Sequence, residues 1–240
     1  MHALVLAAGV GSRLKPYTDT RPKPMLEVGG QPILGYNLKM LAAGGFRDVV
    51  INLHYLPEAI RAYVGTGERW GVRVTYSEEP ELLGTGGALT PFRGRFSSET
   101  FAVVFADNLN DLDLSDMMRR HRANGALVTI AVSQRDDISQ SGVIEMDSDG
   151  RVTRFIEKPQ PGATRSGWIN AGAILAEPRL LALLPPKPPF DLGRDVLAKL
   201  ADCGEDIYAY PMTGTHLWFD RTEDYERFKD ERRIDGFTPG

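Results

Sequence analysis

The sequence predicts an α/β fold: a single Rossmann-like domain with a mixed, mostly parallel central sheet, helices on both faces and a small antiparallel hairpin region. Three observations carry this expectation. Apolar runs bounded by turn residues alternate with helical patterns over the first half of the chain, the mark of βα units around a buried parallel sheet. After residue 133 the pattern changes to a hairpin, residues 142–147 and 151–156 around Ser148-Asp149-Gly150. A length of 240 residues suits one α/β domain, which at that size buries roughly 70–75% of its extended surface and needs no staples.

Residues 3–8 read as a first strand that runs directly into a glycine loop. Ile33, Leu34, Leu38 and Leu41 then keep a helical period that stops at Gly44-Gly45. Residues 48–53, 72–76, 101–106 and 127–132 read as further strands, and residues 114–122 as a second amphipathic helix. Beyond the hairpin, strands at 169–175 and 207–211 are separated by helical stretches and by the proline-rich segment 185–189. A proline run that short is a surface loop and not a domain linker. With no internal repeat or low-complexity tail, residues 1–240 are expected to form one domain whose halves divide at 133/134.

Composition removes several classes. With 42% apolar and 25% charged residues, disordered, collagen-like and coiled-coil readings fail. Cys203 is the single cysteine, which excludes an intrachain disulfide and a cysteine metal cluster and fits a reducing compartment. A net charge of −4 provides no global basic field for nucleic acid or an anionic membrane, while leaving room for a local cationic pocket. The longest apolar runs fall far short of the roughly 18 residues of a membrane span. The N-terminal stretch has no basic region before it, so a cytoplasmic location is the expectation. The oligomeric state, including a homo-oligomer, is left open.

Ligands of open α/β sheets bind beyond the carboxyl ends of the strands. There the first strand meets Ala7-Ala8-Gly9-Val10-Gly11-Ser12-Arg13-Leu14, whose small residues let backbone N–H groups approach an anion while Arg13 adds a forked cation. A tight strand-to-helix turn is the plainer reading of those residues. They are neither the dinucleotide fingerprint, because Leu14 replaces its third glycine, nor a P-loop, because Gly-Lys-Ser/Thr is absent. Shortly after, Pro22-Lys23-Pro24-Met25 sets a lysine between two prolines, which fix φ and reduce the entropy lost in aiming a long side chain.

Together, Leu6-Ala7-Ala8-Gly9-x-Gly11-Ser12-Arg13-Leu14 and Pro22-Lys23-Pro24-Met25 closely resemble the signature of the sugar-phosphate nucleotidylyltransferases, including the short mannose- and heptose-1-phosphate guanylyltransferases and N-acetylmuramate-1-phosphate uridylyltransferase. The usual signature has threonine where Ser12 stands, a change that keeps the hydroxyl. The resemblance implies a nucleoside triphosphate and a sugar 1-phosphate as substrates, Mg²⁺ as cofactor, a nucleotide-binding half over residues 1–133 and a sugar-phosphate-binding half over residues 134–240. It implies catalytic roles for Arg13 and Lys23, and nucleotide contacts from Leu6, Ala7, Ala8, Gly9, Gly11 and Ser12.

The resemblance continues along the chain. Leu83-Gly84-Thr85-Gly86-Gly87-Ala88 is similar to the family's base-recognition loop, which implies base contacts from Gly84, Thr85, Gly86 and the preceding Glu79; a glycine-rich helix start is the plainer reading. Ala106-Asp107-Asn108 ends a strand where the family places a magnesium ligand, most members reading Gly-Asp. It implies that Asp107 binds metal, that Ala106 and Asp107 contact the nucleotide and that Asn108 contacts the sugar phosphate. Phe155-Ile156-Glu157-Lys158-Pro159 resembles the Glu-Lys-Pro sugar-phosphate element, with Gly142 and Asn170 as further sugar contacts. A surface Glu-Lys pair ending a hairpin is the alternative. Trp218-Phe219-Asp220-Arg221-Thr222 is similar to the segment carrying the second metal aspartate, although no glycine follows Asp220; Asp220 is alternatively an N-cap for a helix over 222–229.

These parts suffice for in-line attack of a sugar-1-phosphate oxygen on an α-phosphorus, which depends chiefly on positioning and charge neutralisation. Hard oxygen ligands favour Mg²⁺ over zinc, and His2, His54, His121 and His216 show no zinc spacing. Guanine is the favoured base, because a carboxylate at Glu78 or Glu79 can accept from its N1–H and N2–H₂ edge; the plainer reading makes both glutamates solvent-facing charges. Uridylyl or thymidylyl transfer is the alternative. A silent sugar-nucleotide-binding subunit and an enzyme acting on a non-sugar phosphate are less favoured, since Arg13, Lys23, Asp107, Glu157, Lys158 and Asn170 are all present.

Overall fold

The structure is a computed structural model and describes residues 1–230. In chain order its strands are β1 (His2–Leu6), β2 (Glu27–Val28), β3 (Gln31–Pro32), β4 (Asp48–Leu53), β5 (Arg73–Glu78), β6 (Phe101–Phe105), β7 (Asn108–Asn110), β8 (Val128–Gln134), β9 (Gly142–Met146), β10 (Val152–Glu157), β11 (Trp168–Ala176), β12 (Ile207–Pro211) and β13 (His216–Trp218). The helices are α1 (Ile33–Ala43), α2 (Pro57–Val64), α3 (Gly84–Gly87), α4 (Leu114–Ala123), α5 (Arg179–Leu183), α6 (Ala198–Asp202) and α7 (Thr222–Glu226). The fold is the α/β class expected, with a mixed sheet and small antiparallel hairpins. The chain divides into two compact units: residues 1–82, 104–114 and 213 onward form one, and residues 83–103 and 115–212 the other.

In the first unit β1, β4 and β5 lie parallel in that order, with Leu6 opposite Asn52 and Asn52 opposite Ser77. Val49, Val50 and Ile51 are fully buried, as befits the near-continuous apolar runs of parallel strands. The first strand stops at Leu6, short of the expected end at residue 8, because the Ala7 N–H leaves the ladder for the side chain of Asn52 at 2.6 Å. Two short ribbons, β2 with β3 and β7 with β13, were not legible in the sequence. Leu14, Leu26, Val28, Ile33, Tyr36, Leu109, Phe219 and Tyr225 form one apolar cluster beneath these segments. It ties the residues after the glycine loop to those after β13.

In the second unit β9 pairs antiparallel with β10 and with β11, β11 pairs antiparallel with β8, and β8 pairs parallel with β12. Strand β9 stops at Met146, one residue before the expected end. There the Asp147 carboxylate turns into the loop to accept the N–H groups of Asp149 and Arg151 at 3.0 and 2.9 Å. Helix α4 covers the sheet through Met117, Met118 and His121 while Arg119, Arg120 and Arg122 face solvent.

Candidate active site

The glycine loop leaves β1 with Ala7 and Ala8 buried and Gly9, Ser12 and Arg13 exposed, and Ser12–Leu14 form a single 3₁₀ turn. Gly11 has φ 67°, and a Cβ there would stand 3.2 Å from Cβ of Lys23 and 3.1 Å from Thr18. Glycine is therefore required both for the left-handed turn and for the close approach of the lysine. Buried Thr18, which the sequence does not single out, locks the loop by donating from Oγ1 to the Gly11 carbonyl at 2.9 Å.

Lys23 begins a second 3₁₀ turn, with Pro22 before it and Pro24 inside it. Its side chain is buried, and Nζ donates to Asp107 Oδ2 at 2.7 Å and to Asp220 Oδ1 at 3.3 Å. Asp107 comes after β6, and Asp220 lies between β13 and α7. Arg13 Nη2 stands 3.7 Å from Asp220 Oδ1. Four predicted residues, Arg13, Lys23, Asp107 and Asp220, thus meet in the first unit, Lys23 and Asp220 across 197 positions of sequence.

The charges hold one another. Burial would lower the Lys23 ammonium, but the two carboxylates override it and hold the lysine above its ordinary value. Burial would likewise raise Asp107, and the charge and hydrogen bond of Lys23, with Arg13 beyond, hold that carboxyl below the usual range. Asp220 does not cap the next helix, α7. The capping position is Arg221, whose N–H is accepted by Asp224 at 3.0 Å.

Asn108, on β7, pairs with Trp218 in the short ribbon, and its carbonyl accepts from Asn37 Nδ2 at 3.1 Å. Ala106 is buried, and its N–H still reaches the Leu6 carbonyl at 3.1 Å. The two glutamates at the end of β5 differ sharply. Glu78 is exposed and pairs with Arg61, whereas Glu79 is only 4% exposed and accepts from Asn52 Nδ2 at 2.9 Å. The solvent-facing reading therefore holds for Glu78 alone.

In the second unit the glycine run Gly84–Gly87 makes a one-turn helix, α3. The N–H groups of Gly86 and Gly87 both donate to the Phe190 carbonyl, at 3.1 and 3.2 Å. A Cβ on Gly86 would stand 2.7 Å from the Phe190 ring, so this glycine serves a close approach within the protein. Thr85 Oγ1 donates to Asp191 Oδ2 at 2.7 Å and accepts the Leu192 N–H at 2.8 Å. The loop is thereby pinned to residues 190–192, a segment the sequence does not mark.

Gly142 and Glu157 face each other across the β9–β10 ladder. Burial and the neighbouring Asp191 carboxylate push the Glu157 carboxyl up, against the pull of Lys158 and Arg194. Lys158 is exposed and has φ 48°, a left-handed conformation that a residue with a Cβ occupies only where its surroundings impose it; its N–H donates to the Ser141 carbonyl at 3.0 Å. Asn170 sits on β11 beside a register shift, and its Oδ1 accepts the Gly172 N–H at 2.9 Å.

Among the described residues no three His, Cys, Asp or Glu side chains gather as a metal cage, and no helix is long and apolar enough to cross a membrane. Asp107 and Asp220 converge on the Lys23 ammonium.

The nucleotidyl transferase family model matches residues 2–222. The chain belongs to that family. It is 34% identical over 238 residues to UTP–glucose-1-phosphate uridylyltransferase from a Synechocystis species, covering 94% of this chain and 61% of the relative. It is 34% identical over 209 residues to mannose-1-phosphate guanylyltransferase of Mycobacterium tuberculosis, covering 87% of this chain and 58% of the relative. This family member thus spans about three fifths of the length of those curated relatives. Its fold matches the solved structure of a UDP-glucose pyrophosphorylase complexed with UDP-glucose at a TM-score of 0.82, with 22% identity over 95% of this chain and 97% of that one.

Proposed function

We propose that this chain transfers a nucleoside monophosphate from a nucleoside triphosphate to a sugar 1-phosphate, releasing pyrophosphate, in an Mg²⁺-dependent reaction. The convergence of Asp107 and Asp220 on the Lys23 ammonium, with Arg13 beside Asp220, carries the reading. Two fixed cations and two carboxylates beside a glycine loop suit a polyphosphate, for which catalysis is mainly positioning and charge neutralisation.

Asp107 and Asp220 would hold Mg²⁺, because they offer hard oxygen donors and leave the remaining positions to water and phosphate. Bound there, the ion would neutralise triphosphate charge. Lys23 stays protonated throughout the physiological range, and its flanking prolines brace it beside Asp107 and Asp220, where it would meet phosphate oxygens. Arg13 contributes a planar fork matched to phosphate geometry. The sugar phosphate's anionic oxygen attacks the α-phosphorus, one P–O bond forms, the bond to the β-phosphate breaks and pyrophosphate departs with its electron pair. No protein nucleophile is needed.

The backbone around Leu6, Ala7, Ala8, Gly9, Gly11 and Ser12, with Ala106, would cradle the nucleotide. Gly84, Thr85 and Gly86 would support the base, and Lys158 would meet the sugar phosphate as a compact cation. Glu157, Asn170, Asn108 and the Gly142 backbone would receive sugar hydroxyls. Guanine is the preferred base and mannose or heptose 1-phosphate the preferred acceptor, because buried Glu79 is an acceptor suited to guanine's paired donors. The similarity to both a guanylyl- and a uridylyltransferase makes uracil the principal competitor.

A pyrophosphate-release screen of GTP, UTP, dTTP and CTP against a panel of sugar 1-phosphates tests the reading. Turnover with one pair, abolished by chelation of Mg²⁺, is expected. Silence with every pair would overturn it, and a clear preference for a pyrimidine triphosphate would overturn the guanine assignment alone.

A further inference from the structure

Strands β1, β4 and β5 end side by side, and one side chain on the middle strand binds the first residue past each of its neighbours. Asn52, the penultimate residue of β4, is 3% exposed. Its Oδ1 accepts the N–H of Ala7 at 2.6 Å, just beyond β1, and its Nδ2 donates to Glu79 Oε1 at 2.9 Å, just beyond β5. The Glu79 backbone is anchored independently: its N–H donates to the Leu53 carbonyl at 2.8 Å, and its carbonyl lies 2.7 Å from His54 Nδ1. A carboxamide is the one neutral side chain of this size that accepts on one edge and donates on the other. Aspartate would turn a like charge on Glu79, and an apolar residue would leave a buried amide and a buried carboxylate short of a partner.

We infer that Asn52 is a positioning residue for nucleotide binding, acting through the Ala7 backbone and the Glu79 carboxylate. Resting on the proposed nucleotidylyl transfer, it fixes the entry of the glycine loop relative to the glutamate, so that phosphate and base contacts are set by one amide. Asn52 itself need not touch the substrate. Its influence falls on the triphosphate and leaves the sugar phosphate alone.

The test is a double-mutant cycle on the full chain, with GTP and mannose 1-phosphate or whichever pair the wild-type enzyme uses best. Asn52→Ala, which loses both buried hydrogen bonds, should raise KM for the triphosphate about tenfold or more, while KM for the sugar phosphate stays within about twofold. In a Glu79→Ala background, which removes the acceptor of Asn52 Nδ2, Asn52→Ala should add less than half of its single effect, because residues sharing one network are not additive. Asn52→Asp, which keeps size and the Ala7 acceptor, carries the test if the alanine variant does not fold. Its KM for the triphosphate should fall back toward wild type as pH is lowered and the two carboxylates share a proton. Unchanged KM values in a merely less stable protein, or fully multiplicative effects, would overturn the inference. A wild-type chain that turns over no triphosphate would instead remove the functional reading and this inference with it.

Discussion

Nζ of Lys23 lies 2.7 Å from Oδ2 of Asp107, although the two residues are 84 positions apart. The contact joins a proline-braced turn to the residues past a buried strand, and the lysine meets its partners through charge and hydrogen bonding. Lys23→Ala is expected to lower kcat by about 100-fold or more, the usual consequence of losing one preorganised electrostatic group. Near-normal turnover would contradict the role. The same variant leaves Asp107 and Asp220 without their shared cation, so added Mg²⁺ should raise its melting temperature more than that of the wild type.

Asp107→Asn and Asp220→Asn should each shift the Mg²⁺ dependence of turnover to higher concentration, because an amide lacks the charge a hard divalent ion demands. A metal titration measures this. An Asp220→Asn variant with the wild-type Mg²⁺ response would assign that carboxylate to orienting Arg13 and Lys23 alone.

Lys158→Ala should raise KM for the sugar 1-phosphate by about tenfold while leaving KM for the triphosphate within about twofold, as expected for a cation that meets one substrate. Steady-state kinetics with each substrate varied in turn decides it. Equal effects on both would move Lys158 out of the proposed role.

Stability should fall on acidification through His121. The imidazole is 1% exposed, with Nδ1 2.8 Å from Thr129 Oγ1 and Nε2 3.1 Å from Glu177 Oε1. A carboxylate only accepts, so Nε2 carries the proton and Nδ1 takes the threonine hydroxyl. Burial lowers the histidine below its ordinary value despite Glu177. The unfolded chain therefore binds the proton first: the stabilisation is complete above about pH 6.5 and is lost as pH falls below it, at no more than about 1.4 kcal/mol per unit. Thermal melts from pH 8 to 5 should show a steeper decline for wild type than for His121→Gln; parallel curves would refute it.

Long apolar runs gave away the sheet: β4 and β12 occupy the expected residues, and β1 ends early where Asn52 captures the Ala7 N–H. Three-residue β7 and β13 carry no period to detect, and their pairing depends on contacts more than 100 residues distant. The meeting of Arg13, Lys23, Asp107 and Asp220 was legible only because each stands in a recognisable motif. Thr18 and Asn52 stand in none, since a lone hydroxyl or amide at an element's end has many uses. Adjacent Glu78 and Glu79 are chemically identical in the sequence; only the side-chain alternation about β5 and the presence of Asn52 separate the exposed one from the buried one.

The apolar cluster that unites Leu14 with Phe219 and Tyr225, together with the hydrogen bond from Tyr17 to Glu226 across 209 positions, orders events during synthesis. A ribosome delivers the glycine loop first and the residues that wedge it in place about 200 codons later. Until then the emerging chain holds Arg13 and Lys23 without Asp220, two cations short of one counter-charge. Long-range closure of this kind is slow to nucleate and leaves sticky surface uncovered meanwhile. The cluster of Arg13, Lys23, Asp107 and Asp220 is thus completed late, once the residues around Asp220 fold back onto the glycine loop.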